Sequence, residues 1–253
     1  SSEYAQIWFD NRSKGTTLEI GLSNPPLNPA RPNKPELVRA GEVPRRRPNT
    51  LNGQIAILHS IAHIELNAVD LHWDIIARFA NIQMPVGFYD DWVKSAQEES
   101  NHFNLICDCL EELGSYYGDL TAHDGLWQAA IDTRDDLLGR LAVVPMVLEA
   151  RGLDVTPNMI RLFEKAKLKN AVKALKTIYE EEVSHVAYGS KWFNFLCGRN
   201  NLDPKIEFHR LVTKYFNGFL KPPFNEEKRA DAGLPPDFYW PLADQLNINT
   251  SYK

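Results

Sequence analysis

Sixteen prolines partition this chain unevenly. Seven lie in residues 1–50 and five after residue 220, while only Pro85, Pro145, Pro157 and Pro204 interrupt residues 51–220. Proline lacks a backbone N–H, and its ring clashes with the preceding helical turn. Long helices are therefore expected in the middle and extended arms at the ends. The expected organisation is one globular domain: a proline-rich N-terminal arm (1–50), a helical block (51–220) and a proline-rich C-terminal arm (221–253).

The block obeys the helical period. A first helix carries Ile55, Leu58, Ala62, Glu65, Ala68 or Val69, His72, Ile76 and Phe79 on one stripe. A second starts near Asp90 or Asp91, carries Trp92, Ala96, Glu99, His102 or Phe103, Ile106, Leu110 and Leu113, and stops at Gly114. A third is expected from about Asp124 to a stop at Gly152, and a fourth over roughly 168–197. Thr156-Pro157 and Asp203-Pro204 each pair a capping residue with proline and predict two shorter helices. No strand-length alternation is sustained, so the predicted class is all-α. Four long amphipathic helices most simply form an antiparallel bundle.

Composition narrows the function classes. Twenty-eight Lys and Arg against 33 Asp and Glu give a net charge of -5, which weighs against a strongly basic nucleic-acid binder. Cys107, Cys109 and Cys197 form neither a disulfide framework nor a Cys-x-x-Cys zinc motif. No apolar run is long enough to span a bilayer. The opening Ser1-Ser2-Glu3-Tyr4 lacks a basic or apolar leader, and a start without Met suits a trimmed chain or a processed organellar one. The expectation is a soluble intracellular protein, cytoplasmic or organellar, with a mitochondrial location among the options.

The inner stripes carry unexpected polar residues. Glu65, Glu99, Glu149 and Glu182 fall at core-facing phase, where burying a lone charge is costly. His102 follows Glu99 by three residues and His185 follows Glu182 by three, so each pair shares a helix face and offers an oxygen and a nitrogen to one metal. Glu65 precedes Glu99 by 34 residues and Glu149 precedes Glu182 by 33, a two-fold pseudo-repeat. One Glu from each of two helices and Glu-x-x-His from the other two is the ligand set of a bridged di-metal carboxylate centre. Four carboxylates balance two divalent cations, and oxygen-rich ligation with one imidazole per metal suits iron or manganese. The expected cofactor is two Fe ions, with a mixed Mn/Fe pair as the variant.

Several longer segments carry a family resemblance. They are Arg45-Arg46-Arg47, His59-Ser60-Ile61-Ala62-His63-Ile64-Glu65, Phe88-Tyr89-Asp90-Asp91-Trp92, Tyr117-Gly118-Asp119, His123-Asp124-Gly125-Leu126-Trp127, Leu148-Glu149-Ala150-Arg151-Gly152-Leu153-Asp154 and His185-Val186-Ala187-Tyr188-Gly189. From about Arg31 to Gly233 the chain resembles the ferritin-like domain-of-unknown-function family four-five-five. The resemblance implies a ferritin-like four-helix bundle with a di-metal carboxylate site, distantly similar to tRNA-hydroxylating and rubrerythrin-like proteins. In that topology the link between helices 2 and 3 crosses the bundle lengthwise, and here residues 115–123 are expected to do so.

Other residues have competing readings. His59 and His63, just before Glu65, are candidates to hold a ligand carboxylate, or are hydrogen-bonded core histidines. Tyr179 and Tyr188, each three residues from a ligand candidate, could relay an electron or donate a hydrogen bond, against plain core packing. His123 reads as a helix cap. Pro145 should kink the third helix one turn before Glu149, leaving the Leu141 carbonyl without its helical donor. Glu180 and Glu181 read as solvated or as supports beside the metal ligands, and Cys107 and Cys109 diverge too far on a helix to chelate together.

Three function classes follow. The leading one is an oxidoreductase that uses dioxygen to oxidise or hydroxylate an unidentified small molecule. The second is a ferritin-like scaffold or accessory subunit holding a protein partner through its arms. The third is a tRNA-modifying monooxygenase, which the acidic balance disfavours.

Overall fold

Helices make up the regular structure among the described residues, apart from one isolated bridge between Leu37 and Ala122, so the chain is all-α. The computed structural model describes residues 1–16, 19–44 and 46–249, with side chains through Ala243. Arg45 of the basic run lies outside the described residues, as do residues 250–253. Two compact units are distinguished: residues 1–128 with 159–178, and residues 129–158 with 179–253.

The first unit is built on α2 (Leu51–Arg78) and α3 (Val86–Glu112), which pack along each other. The Thr50 hydroxyl accepts from the Gly53 N–H at 3.2 Å and closes the start of α2. Leu58, Ile61, Ala62, Leu71 and Ile75 of α2 are buried, as are Trp92, Val93, Ala96, Ile106 and Leu110 of α3. α3 begins at Val86, earlier than expected, because Pro85 already fixes the backbone angle at its cap. It ends as expected at Gly114, whose φ of +74° is a conformation glycine adopts without a Cβ penalty. There the Ser115 N–H reaches the Leu110 carbonyl and the Gly114 N–H reaches that of Glu111, satisfying the last turn.

The N-terminal arm is not wholly extended. Ser2–Ser13 forms α1, because no proline occurs before Pro25. Trp8 and Arg12 fix it to Asp90 of α3, at 2.8 and 2.9 Å. Beyond it the described part of the arm carries one short 3-10 turn, Ala40–Glu42, and is pinned: Arg78 donates to the Pro26 carbonyl at 2.8 Å, Trp127 to that of Leu27 at 3.0 Å, and Val38 N–H to that of Ala122 at 2.8 Å.

The expected third helix, continuous from 124 to 152, is instead divided. α4 (Gly125–Asp132) stops, and Asp136 caps a new helix, α5 (Leu137–Val143), by accepting from the Gly139 N–H at 2.9 Å. The buried Arg140 turns back across this break, donating to Thr133 Oγ1 at 2.9 Å and to the Ala130 carbonyl at 2.7 Å. Its guanidinium thus satisfies a carbonyl that the end of α4 leaves without a helical donor.

The kink expected at Pro145 takes the form of a wide π-turn over Val144–Glu149, in which the Ala150 N–H bonds the Pro145 carbonyl. α6 (Ala150–Lys165) then runs straight through Gly152 and Pro157, where a stop and a separate helix had been expected. Pro157 has no N–H for the Leu153 carbonyl. Asn225 supplies the missing donor through its side-chain amide, at 3.1 Å. α6 ends where Lys167 adopts a φ of +60° and Leu168 N–H bonds the Phe163 carbonyl. The fourth long helix, α7, spans Lys169–Arg199.

In the second unit α8 (Pro204–Tyr215) starts as expected, with Asp203 accepting from the Ile206 N–H at 2.9 Å and proline at the first position. The Tyr215 hydroxyl donates to Asp136 at 3.0 Å and ties α8 to α5. The C-terminal arm, expected to be extended, folds into α9 (Glu226–Asp231) and α10 (Pro236–Asn249), because Pro236 sits at a helix start, where no N–H is needed. Among the described residues no helix is long and apolar enough to cross a membrane.

Candidate metal centre

α2 and α3 each present a buried carboxylate at mid-helix. Glu65 is 3% exposed and Glu99 and His102 are fully buried. One helical turn separates Glu99 from His102, so both face α2 together. His102 Nδ1 lies 3.2 Å from Glu99 Oε2 and 3.4 Å from Glu65 Oε2.

The three groups perturb one another strongly. Burial, then the Glu99 charge, pushes the Glu65 carboxyl up to about 8. Burial alone would lower the His102 imidazolium; the hydrogen bonds and charges of Glu65 and Glu99 overcome it and lift the group to about 11. A cation between these oxygens would relieve the carboxylate repulsion that a proton otherwise relieves.

Glu182 lies on α7 and is 9% exposed. Ligand atoms of Glu65, Glu99, His102 and Glu182 all fall within 4.8 Å of one another, a buried group that could hold a metal ion. The donors are three carboxylates and one imidazole, with no thiol, which suits a hard or borderline divalent ion.

The two remaining sequence candidates are not part of that group. His185 is fully buried one turn beyond Glu182, its Nδ1 3.9 Å from Glu182 Oε2, repeating the Glu99–His102 turn more loosely. Glu149 is the last residue of the π-turn and is partly buried. Close packing relates its segment to α7. A Cβ on Gly189 would come within 2.5 Å of the Pro145 ring, so only glycine permits this approach.

His59 and His63 point to the segment after α3 and hold it in place. His59 Nε2 accepts from the Gly118 N–H at 2.9 Å. His63 Nδ1 meets the Tyr117 hydroxyl at 2.8 Å and its Nε2 faces the His123 carbonyl at 3.1 Å. Tyr117 stacks on His59 with centroids 5.3 Å apart. Burial lowers both imidazoles, His63 to about 4. His123 is a cap, its Nδ1 accepting from the Gly125 N–H at 3.2 Å. The Tyr179 hydroxyl accepts from Asn225 Nδ2 at 2.6 Å, and Tyr188 is partly buried on α7. Sequence reasoning missed Tyr117, Asn67 and Arg31, which complete the histidine network. Asn67 donates to the His63 carbonyl at 2.7 Å, and Arg31 donates to Asn67 at 2.6 Å. Tyr117 and Arg31 lie 54 and 36 residues from their partners, which leaves no local spacing to read, whereas Asn67, one turn after His63 on α2, was within reach of helical phase.

Similarity to known proteins agrees with the sequence reading at the family level. The chain is 42% identical over 208 residues to an uncharacterized protein of Haemophilus influenzae, covering 80% of this chain and 72% of that one. No solved structure matches. Residues 1–240 match the family described as protein of unknown function (DUF455), and the chain belongs to that family.

Proposed function

We propose that this protein is a di-metal carboxylate oxidoreductase, di-iron or iron–manganese, that uses dioxygen to oxidise or hydroxylate an organic substrate. The observation that carries the reading is the buried convergence of Glu65, Glu99, His102 and Glu182. In this reading Glu149 and His185 complete the set. Support comes from the repeated Glu-x-x-His turn and from the Pro145–Gly189 contact. Glu149 follows Pro145 by one turn and His185 precedes Gly189 by one turn, so antiparallel packing would set them opposite each other. The long helices α2, α3, α5–α6 and α7 would form the ferritin-like bundle, with α4 carried inside the link between the second and third.

When bound, a reduced metal pair supplies electrons to dioxygen. The chain's part is to hold it. Glu99–His102 and Glu182–His185 each offer one oxygen and one nitrogen from a rigid helical turn. Glu65 and Glu149 would supply two further carboxylate oxygens to hold the pair. Buried carboxylates that resist ionisation alone become good ligands once a divalent cation offsets their charge.

The test is dioxygen consumption by the full chain after anaerobic loading with ferrous ion, followed with an oxygen electrode. Rapid uptake in the wild type and its loss in Glu99→Ala and His185→Ala, with helical content kept, supports the reading. Ferrous-loaded wild type that consumes oxygen no faster than free ferrous ion contradicts it.

A further inference from the structure

The second unit contains a cleft of about 450 Å³, open to solvent on one side, between the π-turn and the 216–224 segment. This falls in the usual range for small-molecule sites, about 300–1,000 Å³. Its walls combine two chemistries. Phe216, Phe219 and Phe224 supply aromatic surface, and Arg151, Lys221 and Arg229 supply positive charge.

Arg229 is the fixed point. Only 3% exposed, it donates through Nε and Nη2 to Asp154 at 2.8 and 2.7 Å. Its guanidinium also lies over the rings of Phe224 and Tyr239, 5.0 and 4.6 Å from their centroids. Nη1 has no hydrogen bond among the described residues. Arg151 uses Nη1 on the Lys221 and Pro223 carbonyls, at 2.7 and 3.3 Å, and on Asp154 at 3.4 Å. Lys221 has no ion-pair partner among the described residues. Among the described residues Asp154 is the one carboxylate touching these cations, and it is already engaged by Arg229 and by the Asn225 N–H. Three cations against one carboxylate leave the cavity positively charged.

We infer that this cavity is a binding site for a small organic anion with an apolar, preferably aromatic, body. The head group, carboxylate or phosphate monoester, takes the free face of the Arg229 fork with Arg151 and Lys221, a geometry suited to planar or multi-oxygen anions. The body stacks among the phenylalanines, where aromatic contacts add to burial. Val147, Leu148 and Arg151 line the cavity, while Glu149 lies on the opposite side of the segment by helical phase. The site is therefore separate from the metal ligands, and its binding does not require them.

Isothermal titration calorimetry on the full chain as purified tests it, with 4-phenylbutyrate, phenyl phosphate and the neutral 4-phenylbutanol as probes. Saturable 1:1 binding of an anion, at least tenfold tighter than the alcohol, is expected, and the tighter anion identifies the head group. Arg151→Gln with Lys221→Gln should weaken that binding about tenfold or more, the loss of a charge-assisted hydrogen bond. Both residues are at the surface or half-buried, so the melting temperature serves as a folding control. Phe219→Ser should weaken both anion and alcohol. Absence of saturable anion binding, equal binding of the alcohol, or full affinity in the double variant would overturn the inference, whatever the metal content.

Discussion

At the scale of single residues, the buried polar groups divide into two kinds. Glu99 and His102 sit where the helical phase of the sequence put them, because a turn of three residues needs no tertiary information. His59 and His63 share α2 with Glu65, yet their partners lie at 117, 118 and 123, and no local pattern announces that. Their environment has a pH consequence. The folded state holds His63 at about 4, below the ordinary imidazole value of 6.5, so it keeps the neutral form. As pH falls below 6.5 the unfolded chain gains a proton that the folded chain refuses. Stability contributed by His63 is complete above about 6.5 and declines progressively toward 4. Melting curves from pH 7.5 to 5 should therefore fall more steeply for wild type than for His63→Gln; equal slopes would exclude this role. On α7, His185→Ala should reduce bound metal sharply while circular dichroism stays near wild type. Glu180→Ala, an exposed neighbour, should change neither.

At the scale of elements, periodicity located α2, α3 and α7 to within a few residues, a capping residue followed by proline located the start of α8, and proline located the distortion before Glu149. The sequence reading failed where a distant side chain rescued or broke a helix. Asn225 lets α6 continue through Pro157, and Asp136 with Arg140 divides α4 from α5. Asn225→Ala should cost about 1–3 kcal/mol, because it strips the Leu153 carbonyl and the Tyr179 hydroxyl of a donor together; urea unfolding measures this. Gly189→Ala places a methyl within 2.5 Å of a rigid proline ring, and overpacking of that kind costs about 1–3 kcal/mol. It should also lower metal content, since the same contact sets Glu149's segment against α7. Wild-type metal content in a folded Gly189→Ala protein would separate that contact from the centre.

At the scale of the whole molecule, the all-helical class was legible from proline spacing and apolar period, and the family from extended motifs. The helical parts of the arms were missed because proline was counted over each arm as a whole, although Ser2–Ser13 holds none and Pro236 stands at a helix start; Trp8 and Arg12 on Asp90 then hold α1 in place. A paired carboxylate centre would fix the metal stoichiometry. Elemental analysis by inductively coupled plasma mass spectrometry, on full-length protein purified without chelator and without added metal, measures it directly. A di-metal centre requires about two equivalents of iron, or of iron plus manganese, per chain, falling to about one or less in Glu99→Ala. Protein that carries no transition metal, and takes up none when given ferrous or manganous ion anaerobically, would contradict it.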